Sequence, residues 1–220
     1  MVLITFSSIG FGQNTLGERV NANAMSGTVN TGDRLYTSKP FVKQLEGSPY
    51  LVDKWMKSTL KLKSVSKELA TDQLKYDVLN NYFDVLIAGE IKSIGGKSVT
   101  GFELIDENNN ARKFEACRQF KTKTPIVKGY FEILYTGELK LMERAYVFIK
   151  PATYNTALMI GEKNDRIIIK KEYYYQDQTG NTFLLKKIKH LKNLGGTNPK
   201  TSKTTIDRNE LIAYFKINKF

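Results

Sequence analysis

The feature that most constrains this chain is a two-residue hydrophobic period that persists through most of its length. Leu60 and Leu62 alternate with Lys61 and Lys63; Leu74, Tyr76 and Val78 alternate with Lys75 and Asp77; Phe83, Val85 and Ile87 interleave with Asp84 and Leu86. Successive side chains of a strand point to opposite faces, so this pattern predicts half-buried strands, and the short turns between them predict antiparallel pairing. The turns carry residues that accept positive φ or cap their own backbone: Asn80-Asn81, Gly95-Gly96 and Asp106-Glu107-Asn108-Asn109-Asn110. Strands near 98–105 and 111–120 continue the meander. The pattern breaks at Pro125 and resumes over 129–135. It turns at Thr136-Gly137 and returns from Glu138 to Phe148, where Pro151 closes it. After a softer segment at 152–165, a strand over 166–175, a turn at Gln178 to Asn181 and a strand over 182–186 form a further hairpin.

Only the tail reads as helical. Lys187 to Leu194 spaces its apolar residues at three and ends on Gly195-Gly196, with cations in the turn where the helix dipole favours them. Asp207, with Glu210 three residues on, marks a second start for Leu211, Ile212 and Phe215 on one apolar face. The predicted fold is therefore mainly β: an antiparallel β roll or open barrel with one or two short C-terminal helices. Residues 1–12 read as a signal-peptide remnant and 13–46, rich in Asn, Gly, Thr and Ser, as an extended leader. The antiparallel β domain occupies 47–160, and 161–220 forms a β-hairpin plus helical segment packed on the same domain. Gly47-Ser48-Pro49-Tyr50-Leu51 opens the folded part, because Pro49 fixes its own φ and biases Ser48 to extended geometry. Trp55, the only tryptophan, is expected to anchor the core.

The start of the chain bears on compartment. Val2 to Ile9 is a short apolar run followed by Gly10-Phe11-Gly12, which places small residues at −3 and −1 of a cleavage site before Gln13. The run is too short to span a bilayer, for which ~20 apolar residues are needed. A positive n-region is missing, and the same run could serve as a buried N-terminal strand of a cytosolic protein; export to the periplasm or cell surface is the expectation. No other segment is a candidate transmembrane run.

With one Cys and one His in 220 residues, the chain cannot build an intramolecular disulfide or a multi-histidine metal site, and His190, in a lysine-rich helix with no carboxylate near it in sequence to orient it, is not placed for a catalytic triad. Cys117 has no sequence-adjacent His and reads as a small packed residue. Alternation would place Phe114, Ala116 and Phe120 on one face and Cys117 on the other. Glu132, Glu138 and Glu143 flank one hairpin and could be paired for acid–base work, but glutamates between apolar residues are what a solvated strand face shows. The Asp106 to Asn110 cluster lacks the spacing and terminal Glu of an EF-hand loop and reads as a turn. No catalytic residue, cofactor or metal site is expected.

What stands out is charge. Thirty-four Lys+Arg against 22 Asp+Glu give a net +12, and 13 of those cations against 6 of the acids lie in 161–220. Lys186, Lys187, Lys189, Lys192, Lys200 and Lys203, with His190 among them, are candidates for an anion-binding surface facing a lipid headgroup, polysaccharide or nucleic acid. Lysine dominates where arginine would suit bidentate phosphate recognition, and no glycine-rich phosphate loop is present, so a solvated helix face is the favoured reading and nucleic acid the least favoured ligand. Tyr173-Tyr174-Tyr175 beside Lys170 and Lys171 could stack on a base or sugar, but a strand divides the triplet between its faces, which favours packing.

Several of these segments together resemble a group of exported proteins of Bacteroidetes-type bacteria that has no assigned activity. They are Gly47 to Leu51 with Trp55, Leu74-Lys75-Tyr76-Asp77-Val78-Leu79-Asn80-Asn81, Gly129 to Tyr135 with Leu139, Leu141 and Arg144, and the terminal Tyr214 to Phe220. The resemblance covers about residues 47–220 and implies an exported β-rich fold with a helical end. The chain departs from the group's glycine turn after the first strand, showing Ser64-Val65-Ser66-Lys67-Glu68 instead. The functional expectation is a non-enzymatic module that docks on another envelope protein or outer-membrane complex through a sheet edge or the leader. Binding of an anionic ligand through 186–203 is the alternative.

Overall fold

The structure is a computed structural model that describes residues 20–21, 35–36, 45–64, 68–122, 127–155, 157–187 and 207–220. Within them the alternating segments become β3 (Met56–Leu62), β4 (Glu68–Asp77), β5 (Tyr82–Ile87), β6 (Glu90–Gly95), β7 (Val99–Ile105) and β8 (Ala111–Ala116). A 3₁₀ turn at Cys117–Gln119 and the short β9 (Lys121–Thr122) lead to β10 (Tyr130–Thr136), β11 (Lys140–Lys150), β12 (Arg166–Gln176) and β13 (Asn181–Leu185). Two pieces of the leader add β1 (Val20–Asn21) and β2 (Leu35–Tyr36), and the described chain ends in helix α1 (Arg208–Ile217).

All strands among the described residues share one sheet in the order β2-β6-β5-β4-β3-β7-β8-β10-β11-β12-β13-β9, with β1 parallel on β4. The β13–β9 pair is also parallel, and the other pairs are antiparallel. The sheet does not close on itself, so the mainly β, open antiparallel roll with a C-terminal helix is what the chain forms. The earlier helix expected at 187–194 lies, from residue 188 on, outside the described residues, as do residues 1–12.

Local chemistry explains the turns. In the β4–β5 turn the Asp77 carboxylate accepts the Asn80 backbone N–H at 2.9 Å and its side-chain amide at 3.0 Å, while Asn81 takes φ 57°. The β5–β6 turn was not expected: Ala88 and Gly89 both take positive φ, 52° and 82°, as a two-residue type I′ hairpin requires. Despite the missing glycine turn, β3 and β4 pair with Leu60 opposite Leu69 and Lys61 opposite Glu68.

One row of side chains explains where the core sits. Across the sheet, direct cross-strand partners run Leu69, Leu60, Phe102, Phe114, Glu132, Glu143, Tyr173 and Leu185. Direct partners share a face, so this is a single inward row. At one end it belongs to an aromatic-rich cluster in which Tyr76, Phe83, Phe102 and Tyr130 meet at ring distances of 4.8–5.4 Å. At the other end Leu141, Tyr173 and Leu185 pack under Leu211 and Phe215 of α1 and under Phe220. The opposite face of β10–β12 buries Phe131, Met142 and Tyr174 with Cys117.

Two placements differ from expectation. Trp55 is half-buried, with the Lys75 ammonium 5.3 Å from its ring centre, and belongs to none of the core clusters, so it does not anchor the interior. Phe120 packs on Phe131, on the Cys117 side, because the 3₁₀ turn interrupts the two-residue period after Ala116. Cys117 itself falls on the face opposite Phe114 and Ala116, as alternation predicts.

Candidate interaction surfaces

The most unusual site is the charged middle of the inward row. Glu132 and Glu143 are directly opposite on β10 and β11 and are 4% and 2% exposed. This corrects the expectation of a solvated strand face for these two residues: alternation separates the faces of a strand but does not say which is covered, and here α1 brings Arg208 over them. Glu138, in the β10–β11 turn, is exposed.

Like charges opposed across a ladder repel, and three cations offset them. Arg112 donates from Nε and Nη2 to the two oxygens of Glu132 at 2.9 and 2.8 Å. Arg208 donates from Nη2 to Glu132 Oε1 at 2.6 Å, and from Nη1 to Glu132 Oε2 at 3.0 Å and Glu143 Oε1 at 2.9 Å. Lys171 lies 3.0 Å from the same Glu143 oxygen. Glu143 Oε2 is buried without a hydrogen bond among the described residues.

Burial alone would raise the Glu132 pKa; the hydrogen bonds from Arg112 and Arg208 outweigh it and hold the carboxyl at about 2. Burial, followed by the Glu143 charge, pushes the Tyr173 hydroxyl up to about 12. Glu132 therefore carries no proton near neutral pH, and the geometry is that of a clamp fastening α1 to the sheet.

Other buried polar groups have similar structural duties. Asp84, 2% exposed, accepts from Tyr50 Oη at 2.7 Å and Ser93 Oγ at 2.6 Å, tying the segment before β3 onto β5. Tyr130 Oη donates towards the Gly96 and Val99 carbonyls, at 2.8 and 2.9 Å, beside Arg118 on the same two acceptors. Cys117 is buried, which pushes its thiol up to about 12. The Asp106 carboxylate is occupied by its own turn, accepting the Asn108 and Asn110 N–H groups at 2.9 and 2.8 Å. No cluster with metal-ligating composition occurs among the described residues.

Of the six candidate anion-binding lysines, Lys186 and Lys187 are exposed just after β13; Lys189, Lys192, Lys200 and Lys203 lie outside the described residues, as does His190. The tyrosine triplet is divided between faces as expected. Tyr173 and Tyr175 pack with the α1 cluster and Tyr174 with the Cys117 cluster. A shallow depression of about 250 Å³ over β7 and β8 is lined by Lys61, Glu103, Lys113 and Glu115, whose charges have partners at 3.6–3.8 Å.

Sequence reading missed the arm. The ladder between β10 and β11 stops at Arg144, and β13 pairs with β12 only from Tyr173. Among the described residues, 145–150 and 166–172 therefore form a two-stranded ribbon, paired with each other and, at one edge, with Glu46 by a single bridge to Arg166. Ala145, Val147, Ile149, Ile167 and Ile169 share one face; Tyr146, Phe148, Ile168 and Lys170 share the other. Five of the seven large exposed hydrophobics among the described residues lie on this ribbon or on the segment that joins its strands: Phe148 and Ile149 on the strand, Leu158, Met159 and Ile160 in the connection. At the base of the ribbon Arg144 donates to Glu172 Oε1 at 2.6 Å and to the Lys128 carbonyl at 2.8 Å. The available signal was the uninterrupted Tyr146 to Ile149 and Ile167 to Ile169 runs, which exceed what a strand with one covered face needs.

Comparison with protein-family models, curated proteins and solved structures finds no match to this chain. No helix among the described residues is long and apolar enough to cross a membrane.

Proposed function

We propose that this chain is a non-enzymatic, exported interaction module of the cell envelope, which docks on another envelope protein by accepting an extended strand along the β11–β12 arm. The observation that carries this reading is the arm itself, a ribbon that outruns its neighbours β10 and β13 and has apolar residues on both faces. An unpaired strand edge offers backbone N–H and C=O groups to a partner strand, and flanking apolar side chains supply specificity. At the far end of the sheet the leader adds to its own chain, β2 on β6 and β1 on β4. That favours the arm over the leader as the docking element. The apolar run at 2–9 and the resemblance to exported Bacteroidetes-type proteins support the compartment.

The test is to isolate the native protein from its source envelope under mild detergent and measure co-purifying proteins at low and high salt. A stoichiometric partner that survives high salt and is lost on Phe148→Ser/Ile149→Asp substitution is the expected result. Recovery of the chain alone, or an association that salt dissolves, defeats this reading. The salt-sensitive outcome would instead favour an anionic ligand on the cationic 186–203 region, where Lys186 and Lys187 are exposed.

A further inference from the structure

The end of the arm differs chemically from its edges. We propose that the Leu158-Met159-Ile160 tip inserts into the interfacial layer of an anionic lipid bilayer, with the basic residues behind it on the headgroups. This contact is independent of the protein docking proposed above.

The three residues are 63%, 81% and 61% exposed, the largest such run among the described residues. The turn that presents them is held by its own backbone. Asn155 N–H donates to the Ile160 carbonyl at 2.9 Å, and the Asn155 side-chain oxygen accepts the Ala157 and Leu158 N–H groups at 3.0 and 3.2 Å. One step further back, Thr153 N–H donates to the Glu162 carbonyl at 3.0 Å. Met159 takes φ 53° at the apex. The tip is thus held by these hydrogen bonds, and Leu158, Met159 and Ile160 belong to none of the buried clusters among the described residues.

Behind the tip the chemistry changes in order. Tyr154 comes first, with the Lys163 ammonium 5.2 Å from its ring centre. Next come Lys150 and Arg166, which neutralise Glu162 at 3.1 and 3.5 Å, and then Lys170 over the Phe148 ring at 3.8 Å. Arg144 is paired with Glu172, Lys171 with Glu143 and Arg166 also with Glu46, so the exposed Lys163 and Lys170 are the cations that the arm presents to headgroups. An apolar end, an aromatic and cationic collar and a positive stem follow the order of hydrocarbon, interface and anionic headgroup in a bilayer. A lipid surface accepts a small convex tip without shape complementarity, whereas two such positive arms repel one another, which disfavours a second copy as the occupant.

The test is flotation of the full chain with vesicles of equal parts phosphatidylglycerol and phosphatidylethanolamine, and with phosphatidylcholine vesicles, using the wild type, Leu158→Ser/Ile160→Ser and Lys163→Glu. The wild type is expected to float with the anionic vesicles and to remain below with phosphatidylcholine. The double serine variant should lose about tenfold in bound fraction with an unchanged melting temperature, and Lys163→Glu should show a smaller loss. The double variant keeps the apolar run at 2–9, so equal flotation of variant and wild type overturns the proposal. It is also overturned if the wild type fails to float or floats equally with phosphatidylcholine. Vesicles alone are used, so failure here leaves the protein-docking reading standing, and loss of a protein partner leaves this result unaffected.

Discussion

At the residue scale, two glutamates in the middle of an apolar row are tolerable because each negative charge meets guanidinium or ammonium groups before it meets the other. Breaking a buried pair by removing one partner leaves an uncompensated charge, which typically costs more than the intact pair contributes. Arg208→Ala should therefore destabilise the fold by about 3 kcal/mol, read as a lower urea midpoint at neutral pH. The acid response follows from Glu132, whose carboxyl sits at about 2 against an ordinary 4.5. Because the folded value is the lower one, its contribution, on the order of 3 kcal/mol, is complete above the ordinary value. It is lost progressively as pH falls from about 4.5 towards 2. Glu132→Gln should flatten the fall of melting temperature over that window; an unchanged slope would show that other groups govern acid unfolding.

At the element scale, α1 is positioned by its cap and its apolar face. Asp207 accepts the Asn209 and Glu210 N–H groups at 2.9 Å each, and Leu211 and Phe215 are fully buried. Phe215→Ala should cost about 3–5 kcal/mol in urea denaturation, since both the ring contacts and the space they fill are lost. The β10–β11 turn meets the end of the chain: a Cβ at Gly137 would collide with the Phe220 carbonyl and lie 2.8 Å from the Tyr135 ring. Gly137→Ala is expected to displace the C-terminus and speed its release in limited proteolysis, followed by mass spectrometry. The cap of α1 was legible because Asp207 and Glu210 are local to it. The Ala88–Gly89 turn was not, because alanine adopts positive φ only when the strands on either side, Ile87 opposite Glu90, impose it.

At the scale of the whole molecule, one curled sheet carries an inward face closed by α1 and an arm that extends beyond both of its neighbouring strands. Substitutions on the arm should therefore separate stability from association. Ile149→Asp is expected to shift unfolding by less than about 1 kcal/mol, because the side chain is 42% exposed and touches no major cluster. The same change should abolish a salt-resistant partner in co-purification. A large loss of stability instead would place Ile149 in the core.

The strand periods, most turns and the cap of α1 were determined by the sequence alone, because each depends on residues within a few positions of one another. So was the division of the tyrosine triplet, which follows from the pleat. Tertiary structure alone decided which face of each strand is covered, and so converted Glu132 and Glu143 from an apparent solvent face into a buried clamp. The physical reason is distance along the chain: Arg208 reaches Glu143 and Glu132 across 65 and 76 residues, and no local pattern announces such a partner. The arm was hidden for the same reason, since β11 and β12 outrun β10 and β13 only where those neighbours, set by their own lengths, stop.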